Sequence, residues 1–236
     1  MMRRTAVALL ALALTLGSPQ PGAATPREVS AGYNVFRNGA HVAVMTETFE
    51  AMDDAYRIVS ESSAAGVLAL FERRPLRLVS SGQLTESGLR PLYFEGGRSL
   101  SDRRRVQAEF DWQSGQLTLT HGGRTEAVSL APDTQDRLSA MYQFMFQAPG
   151  KRHSVVLAMT NGRKLSVHRY TVNSGVEIET PLGRMKTLHL VKQHGPAEDG
   201  AEIWLAPQYR HLPVRMLIQE DDGVRYEQII TRLVLK

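Results

Sequence analysis

The chain has 236 residues, 28 Lys and Arg against 24 Asp and Glu, 42% hydrophobic residues and no cysteine. That composition is globular and excludes a disordered chain. The missing cysteine excludes disulfides, thiolate metal sites, a cysteine nucleophile and a lipidated cysteine. Setting aside Arg3 and Arg4, which lie in a segment expected to be removed, leaves 26 basic residues against 24 acidic ones, so there is no basic footprint for nucleic acid.

Met1-Met2-Arg3-Arg4 is a short positive region, and Thr5 to Leu16 is an apolar run of 12 residues. Gly17-Ser18-Pro19-Gln20-Pro21 breaks that run, and Gly22-Ala23-Ala24 supplies small residues for a cleavage site. This three-part plan predicts a secretory signal peptide over residues 1–24. The apolar run is too short for a membrane-spanning helix, which needs roughly 20 residues. The expected product is one exported, β-rich domain over residues 25–236, placed in the periplasm and without an integral membrane span.

Period two dominates the chain after residue 30. Tyr33 and Val35 lead into Asn38-Gly39 and then Val42, Val44 and Thr46, a strong hairpin signal because both turn residues need positive φ. Ala55 to Ser62 alternates, and Val67 to Phe71 reads as its continuation after a turn at Ala64-Ala65-Gly66. Ser80-Ser81-Gly82 reads as a bulge or turn, and Pro91 as the mark of an edge strand or a bulge. Further strands are expected at 105–112, 117–119 and 125–130.

The period changes once. Asp133 can cap a helix, and Leu138, Met141, Tyr142, Met145 and Phe146 recur at i, i+3, i+4, i+7 and i+8. A helix is therefore expected from about 134 to 147, ended by Pro149-Gly150. Strands resume at 154–160, 165–172, 176–180, 185–193, 201–205, 214–220 and 224–235, with turns at Asn173-Ser174-Gly175 and Asp221-Asp222-Gly223. About fourteen strands on short connections must be antiparallel neighbours. A sheet so long curls or closes. The expected fold is mainly β, a large curved antiparallel sheet or incomplete β-barrel with one helix on its concave side.

Candidate chemistry is sparse. His189 and His194 have a zinc-like spacing, but five residues along one strand place them on opposite faces. No Gly-x-Ser-x-Gly elbow and no phosphate-binding glycine loop occurs. Asp222-Gly223 accounts for the Asp221-Asp222 pair as a turn. Phe110 and Trp112 share a face opposite Asp111, which is expected to meet an arginine such as Arg103 or Arg105. No catalytic, cofactor or metal residue is assigned. The candidate ligand-lining residues are Leu138, Met141, Tyr142, Met145 and Phe146 on the helix, with Trp112 and Trp204.

Several stretches resemble a family of exported proteobacterial proteins known as domain of unknown function 3108. They are Ser80-Ser81-Gly82-Gln83-Leu84, Gly88 to Phe94, Phe110-Asp111-Trp112, Asp136-Arg137-Leu138-Ser139, Thr180-Pro181-Leu182-Gly183, Ile203 to Pro207 and Leu212 to Arg215. The likeness runs from about Tyr33 onward. It implies a β-rich half-barrel similar in shape to periplasmic lipoprotein carriers, and it implies no catalytic residue. The function expected first is non-catalytic binding of an apolar ligand, such as a lipid, acyl chain or lipoprotein segment, in the concavity. The alternative is an envelope interaction protein that meets a protein partner through an edge strand or its outer face. An enzyme would need Asp111, an arginine and a histidine gathered in one pocket.

Overall fold

The computed structural model describes residues 26–72, 74–99, 101–195 and 198–236. The predicted leader over residues 1–24 lies outside these. Fifteen strands form one curved sheet that does not close into a barrel. In chain order they are β1 (Glu28–Arg37), β2 (Ala40–Met52), β3 (Ala55–Ala64), β4 (Leu76–Thr85), β5 (Gly88–Gly97), β6 (Val106–Asp111), β7 (Gln116–His121) and β8 (Arg124–Ser129), followed by β9 (Gln135–Asp136), β10 (Ser154–Thr160), β11 (Leu165–Thr180), β12 (Gly183–Lys192), β13 (Gly200–Ala206), β14 (Leu212–Gln219) and β15 (Arg225–Leu235). The spatial order is β8 back to β1, then β15 back to β9, so the first and last strands meet at the centre of the sheet. Every pair is antiparallel except β9 with β10.

Local chemistry sets the turns. Asn38 and Gly39 have φ of 49° and 82°, the left-handed pair that a two-residue hairpin demands. The register between β4 and β5 slips between Ser81 and Gly82, opposite Pro91. The bulge reading of both features therefore holds, and β5 is an interior strand rather than an edge. Asn173-Ser174-Gly175 is not a turn. Residues 165–180 form one long strand, β11, with its register irregularity between Ser174 and Val176 and Gly175 at φ 74°. A glycine at positive φ absorbs the extra residue and bends the strand without ending it.

Two more expectations are corrected. Val67 to Phe71 does not continue a strand. Gly66–Leu70 is a 3-10 turn, and Val67, Leu68, Leu70 and Phe71 are all exposed. The helix also covers less than 134–147. It is a single α-turn, α1 (Ser139–Tyr142), followed by a 3-10 turn at Gln143–Met145, and Gln135–Asp136 pairs with β10 instead. Asp133 does not cap it, since Asp133 sits at φ 58° in a preceding turn. The capping acceptor is Asp136, whose Oδ1 receives the backbone N–H of Leu138 at 2.8 Å and of Ser139 at 3.0 Å.

The segment from 130 to 153 leaves one edge of the sheet at β8, lays β9 beside β10 at the other edge and then forms α1 before entering β10. Every residue of α1 is buried, so the segment works as a plug. It is pinned to the β4–β5 turn. Gln143 Oε1 accepts from Leu89 N at 2.7 Å, and the side-chain amides of Gln143 and Gln147 both donate to the Ser87 carbonyl. The main core gathers Phe49, Tyr56, Ile58, Phe94, Leu117, Leu119, Leu190 and Leu205 around the plug. A second cluster holds Tyr33, Met45, Ile178, Met185, Trp204, Val214 and Ile230.

Candidate ligand cavity

Between the plug and strands β10 to β14 lies a cavity of about 660 Å³. Its apolar wall includes Met141 from α1, Met159 from β10, Tyr170 from β11, Ile203 from β13, and Met216 and Ile218 from β14. Alternation explains the wall. Ile203 pairs with Met216 and with Leu190 in adjacent strands, so these three share one face. The polar part comes from strand ends and turns: Lys164, His168, Lys192, Glu198, Asp199 and Asp221. Burial and the nearby Lys192 and Lys164 pull the His168 imidazole below its usual value, Lys192 weighing more than Lys164.

A cleft of about 50 Å³ adjoins it, bounded by Tyr33, Met45, Glu47, Ser60, Leu78, Leu138 and Gln228. Arg137, Met141, Met216 and Ile218 belong to both spaces. Glu47 faces this cleft, and its Oε2 accepts from the Tyr142 hydroxyl at 3.3 Å. Enclosure by protein raises the Glu47 carboxyl above its usual value, against the lowering effects of Ser60, Tyr142 and Arg137. The same cause pulls the Arg137 guanidinium down, with Glu47 and Asp136 opposing it. Arg137 retains exposed surface.

Beneath the plug is a fully buried polar chain. Tyr56 Oη lies 3.1 Å from Ser80 Oγ, Ser80 Oγ donates to Asp136 Oδ2 at 2.5 Å, and Ser139 Oγ accepts from Asp136 N at 2.9 Å. Burial raises the Asp136 carboxyl against the opposing pull of these donors. Neither described cavity is lined by Ser80 or Asp136. The chain fastens the plug and does not face a ligand.

The sequence-derived candidates separate in space. Met141 lines the large cavity, and Leu138 and Met141 line the cleft. Tyr142 stacks on Phe49 with centroids 5.5 Å apart, and Phe146 packs against the same ring at 6.5 Å. Met145 is buried in the main core. Trp112 lies elsewhere, in an open depression with Arg90, Leu92, Glu109 and Phe110. Its Nε1 donates to the Pro91 carbonyl at 2.6 Å, and the Arg90 guanidinium sits 5.0 Å from its ring. Asp111 meets no arginine there. It accepts from Gln113 N and Ser114 N in the next turn, and those backbone bonds hold its carboxyl below the usual range. Arg105 pairs with Glu95 instead, at 2.8 Å. Trp204 faces away from Ile203 and joins the second cluster. Its ring stacks on His189 at 4.3 Å and 9°, with Arg215 at 4.8 Å from the ring. His189 Nε2 lies 2.7 Å from Glu202 Oε2. Among the described residues no three His, Asp or Glu side chains converge as a metal site would require.

Arg137, Met159, Tyr170, Ile203, Met216 and Ile218 were missed from the sequence. Alternating apolar residues in β14 marked Met216 and Ile218 as one face, but nothing local said that this face borders empty space.

The model of the family described as "Protein of unknown function (DUF3108)" matches residues 29–229, and the chain belongs to that family. No curated protein matches it. Among solved structures, a β-barrel-like protein of domain of unknown function DUF1849 from Brucella abortus is similar at 10% identity and TM-score 0.53, covering 91% of this chain and 100% of that one. A protein with a YmcC-like fold from Bacteroides fragilis aligns at 9% identity and TM-score 0.33, over 89% of this chain and 96% of its own. A domain named for outer-membrane lipoprotein sorting, from Vibrio parahaemolyticus, aligns at 8% identity and TM-score 0.24, over 89% and 85%. The first of these shows a shared fold, in keeping with the expected half-barrel.

Proposed function

We propose that this DUF3108 protein is an exported, non-catalytic binding protein that shelters an apolar ligand between plug and sheet. The ligand class is a lipid, an acyl chain or the acylated segment of a lipoprotein. One observation carries the reading: a cavity of about 660 Å³ with Met141, Met159, Tyr170, Ile203, Met216 and Ile218 on its wall. Small-molecule sites usually occupy roughly 300–1,000 Å³, with an apolar wall and a few polar groups. Three methionines give that wall adaptable shape, which suits a flexible chain better than a rigid ring. Residues 1–24, read as a leader, support export, and no described helix is long and apolar enough to cross a membrane.

The alternative, partner binding by strand addition, would use the free side of β8. That strand has six residues and carries Arg124 and Glu126, and charges on a short edge oppose pairing with another chain. The cavity reading is therefore the stronger.

The uncharged fluorophore N-phenyl-1-naphthylamine tests it. Saturable binding is expected, weakened about tenfold or more by Met216→Trp, which fills the cavity. Absence of saturable binding, or binding that ignores Met216→Trp, overturns the reading.

A further inference from the structure

We propose that the ligand is an amphiphile with an anionic head, carboxylate or phosphate, and that Arg137 holds that head. This rests on the cavity as the binding site. Arg137 stands where the large cavity and the adjoining cleft meet, and it is common to both linings. Among the described residues its guanidinium has no hydrogen bond and no ion pair within 4.0 Å. Its neighbour in sequence, Asp136, does not neutralise it. Both Asp136 oxygens are engaged elsewhere, Oδ1 by two backbone N–H groups and Oδ2 by Ser80. Glu47, the other acid within its field, is hydrogen-bonded to Tyr142 and makes no ion pair with Arg137 within 4.0 Å.

A guanidinium on a cavity wall, with five donors and no acceptor, can offer an anion charge-assisted hydrogen bonds. Its planar fork matches the oxygens of carboxylate and phosphate. Met141, Met216 and Ile218 flank Arg137 in both spaces, so a hydrocarbon tail attached to the head would lie against thioether and aliphatic surface. At the end formed by the β12–β13 and β14–β15 turns, the lining carries Glu198, Asp199 and Asp221 beside Lys164 and Lys192. The Lys192 ammonium donates to the Asp199 carbonyl at 2.6 Å. Charge of both signs is mixed at that end, whereas at the plug end Arg137 stands with no bonded acid, and the head is assigned to it on that ground.

Competition against bound N-phenyl-1-naphthylamine tests this with matched pairs that differ only in the head: oleate against oleyl alcohol, and hexadecyl phosphate against hexadecanol. The acid of at least one pair should compete roughly 10- to 100-fold more strongly than its alcohol, the range of one or two charge-assisted hydrogen bonds. Whichever pair shows the preference assigns the head as carboxylate or phosphate. Arg137→Gln should bring each acid to parity with its own alcohol, whatever it does to overall affinity, and Arg137→Lys should restore part of the preference. Equal competition by acid and alcohol in the wild type, or a preference that survives Arg137→Gln, overturns the assignment of Arg137 and leaves the cavity reading standing. If neither the alcohols nor the fluorophore bind, the cavity reading falls and this inference with it.

Discussion

Ser80 on β4 donates its hydroxyl to Asp136, 56 residues later, across 2.5 Å and wholly out of solvent. Asp136 is at once the partner of β10, the acceptor that starts α1 and the anchor of the plug to the opposite half of the sheet. Asp136→Ala leaves two backbone N–H groups and a hydroxyl buried without an acceptor. It should cost about 3 kcal/mol in urea denaturation, and Asp136→Asn, which keeps one acceptor oxygen, distinctly less. Equal losses for the two variants would show that packing, rather than hydrogen bonding, fixes the plug.

Enclosure also leaves a mark on pH dependence. Glu47 and Asp136 are raised above the ordinary carboxyl values of 4.5 and 3.8. Between those values and the raised ones the folded state holds protons that the unfolded chain has released. Their contribution to stability is therefore full at low pH and is lost as pH rises through the folded-state values. Glu47→Gln removes one such group. Its stability relative to wild type should climb as pH is raised from about 4 to 8, and a pH-independent difference would contradict the raised Glu47 carboxyl.

Two glycines make a controlled comparison. A Cβ on Gly82 would collide with the Arg90 carbonyl and lie 2.8 Å from Pro91 Cα, while one on Gly39, at φ 82°, meets nothing within 4 Å. Gly82→Ala should cost about 3 kcal/mol through steric overlap at the bulge. Gly39→Ala should cost only the left-handed strain, about 1 kcal/mol. Thermal or urea unfolding of both variants gives the ordering, and the reverse ordering would refute the close approach of β4 and β5.

Trp204 belongs to the packing of the far face and not to the cavity. Trp204→Ala should destabilise the fold by about 3–5 kcal/mol and leave N-phenyl-1-naphthylamine affinity unchanged under conditions where the variant remains folded. Met141→Trp should lower affinity, at an overpacking cost of about 1–3 kcal/mol because Met141 is buried. A variant of Trp204 that folds but no longer binds would place the ligand against a different wall.

The sheet was largely legible because its turns are written locally. Asn38-Gly39 and Asp222-Gly223 need no distant partner to be recognised, and Gly82 announces a bulge by lacking a side chain. The plug was only half legible. Leu138, Met141 and Tyr142 show the apolar stripe, but Gln135, Asp136 and Gln143 decide where the helix begins, and their partners lie at Leu89, Ser80 and Ser87, far off in sequence. Val67 to Phe71 misled because an apolar run carries the same signal whether covered or exposed. The choice between Ile203 and Trp204 as the cavity-facing residue was closed to periodicity, since β13 is buried on both faces. Arg137 stands in the Asp136-Arg137-Leu138-Ser139 stretch, but its place at the junction of two cavities comes from the fold.

The seam between β1 and β15 sets an order for folding. It joins residues about 200 apart, down to the Lys236 ammonium resting on Glu28 at 3.1 Å. Until residues 225–235 are available, the two wings of the sheet have no backbone bond between their innermost strands, and β1 offers an open row of amides and carbonyls to any passing strand. Joining the two wings is thus the least local step of folding, and a molecule that has not closed this seam depends on being held apart from its neighbours.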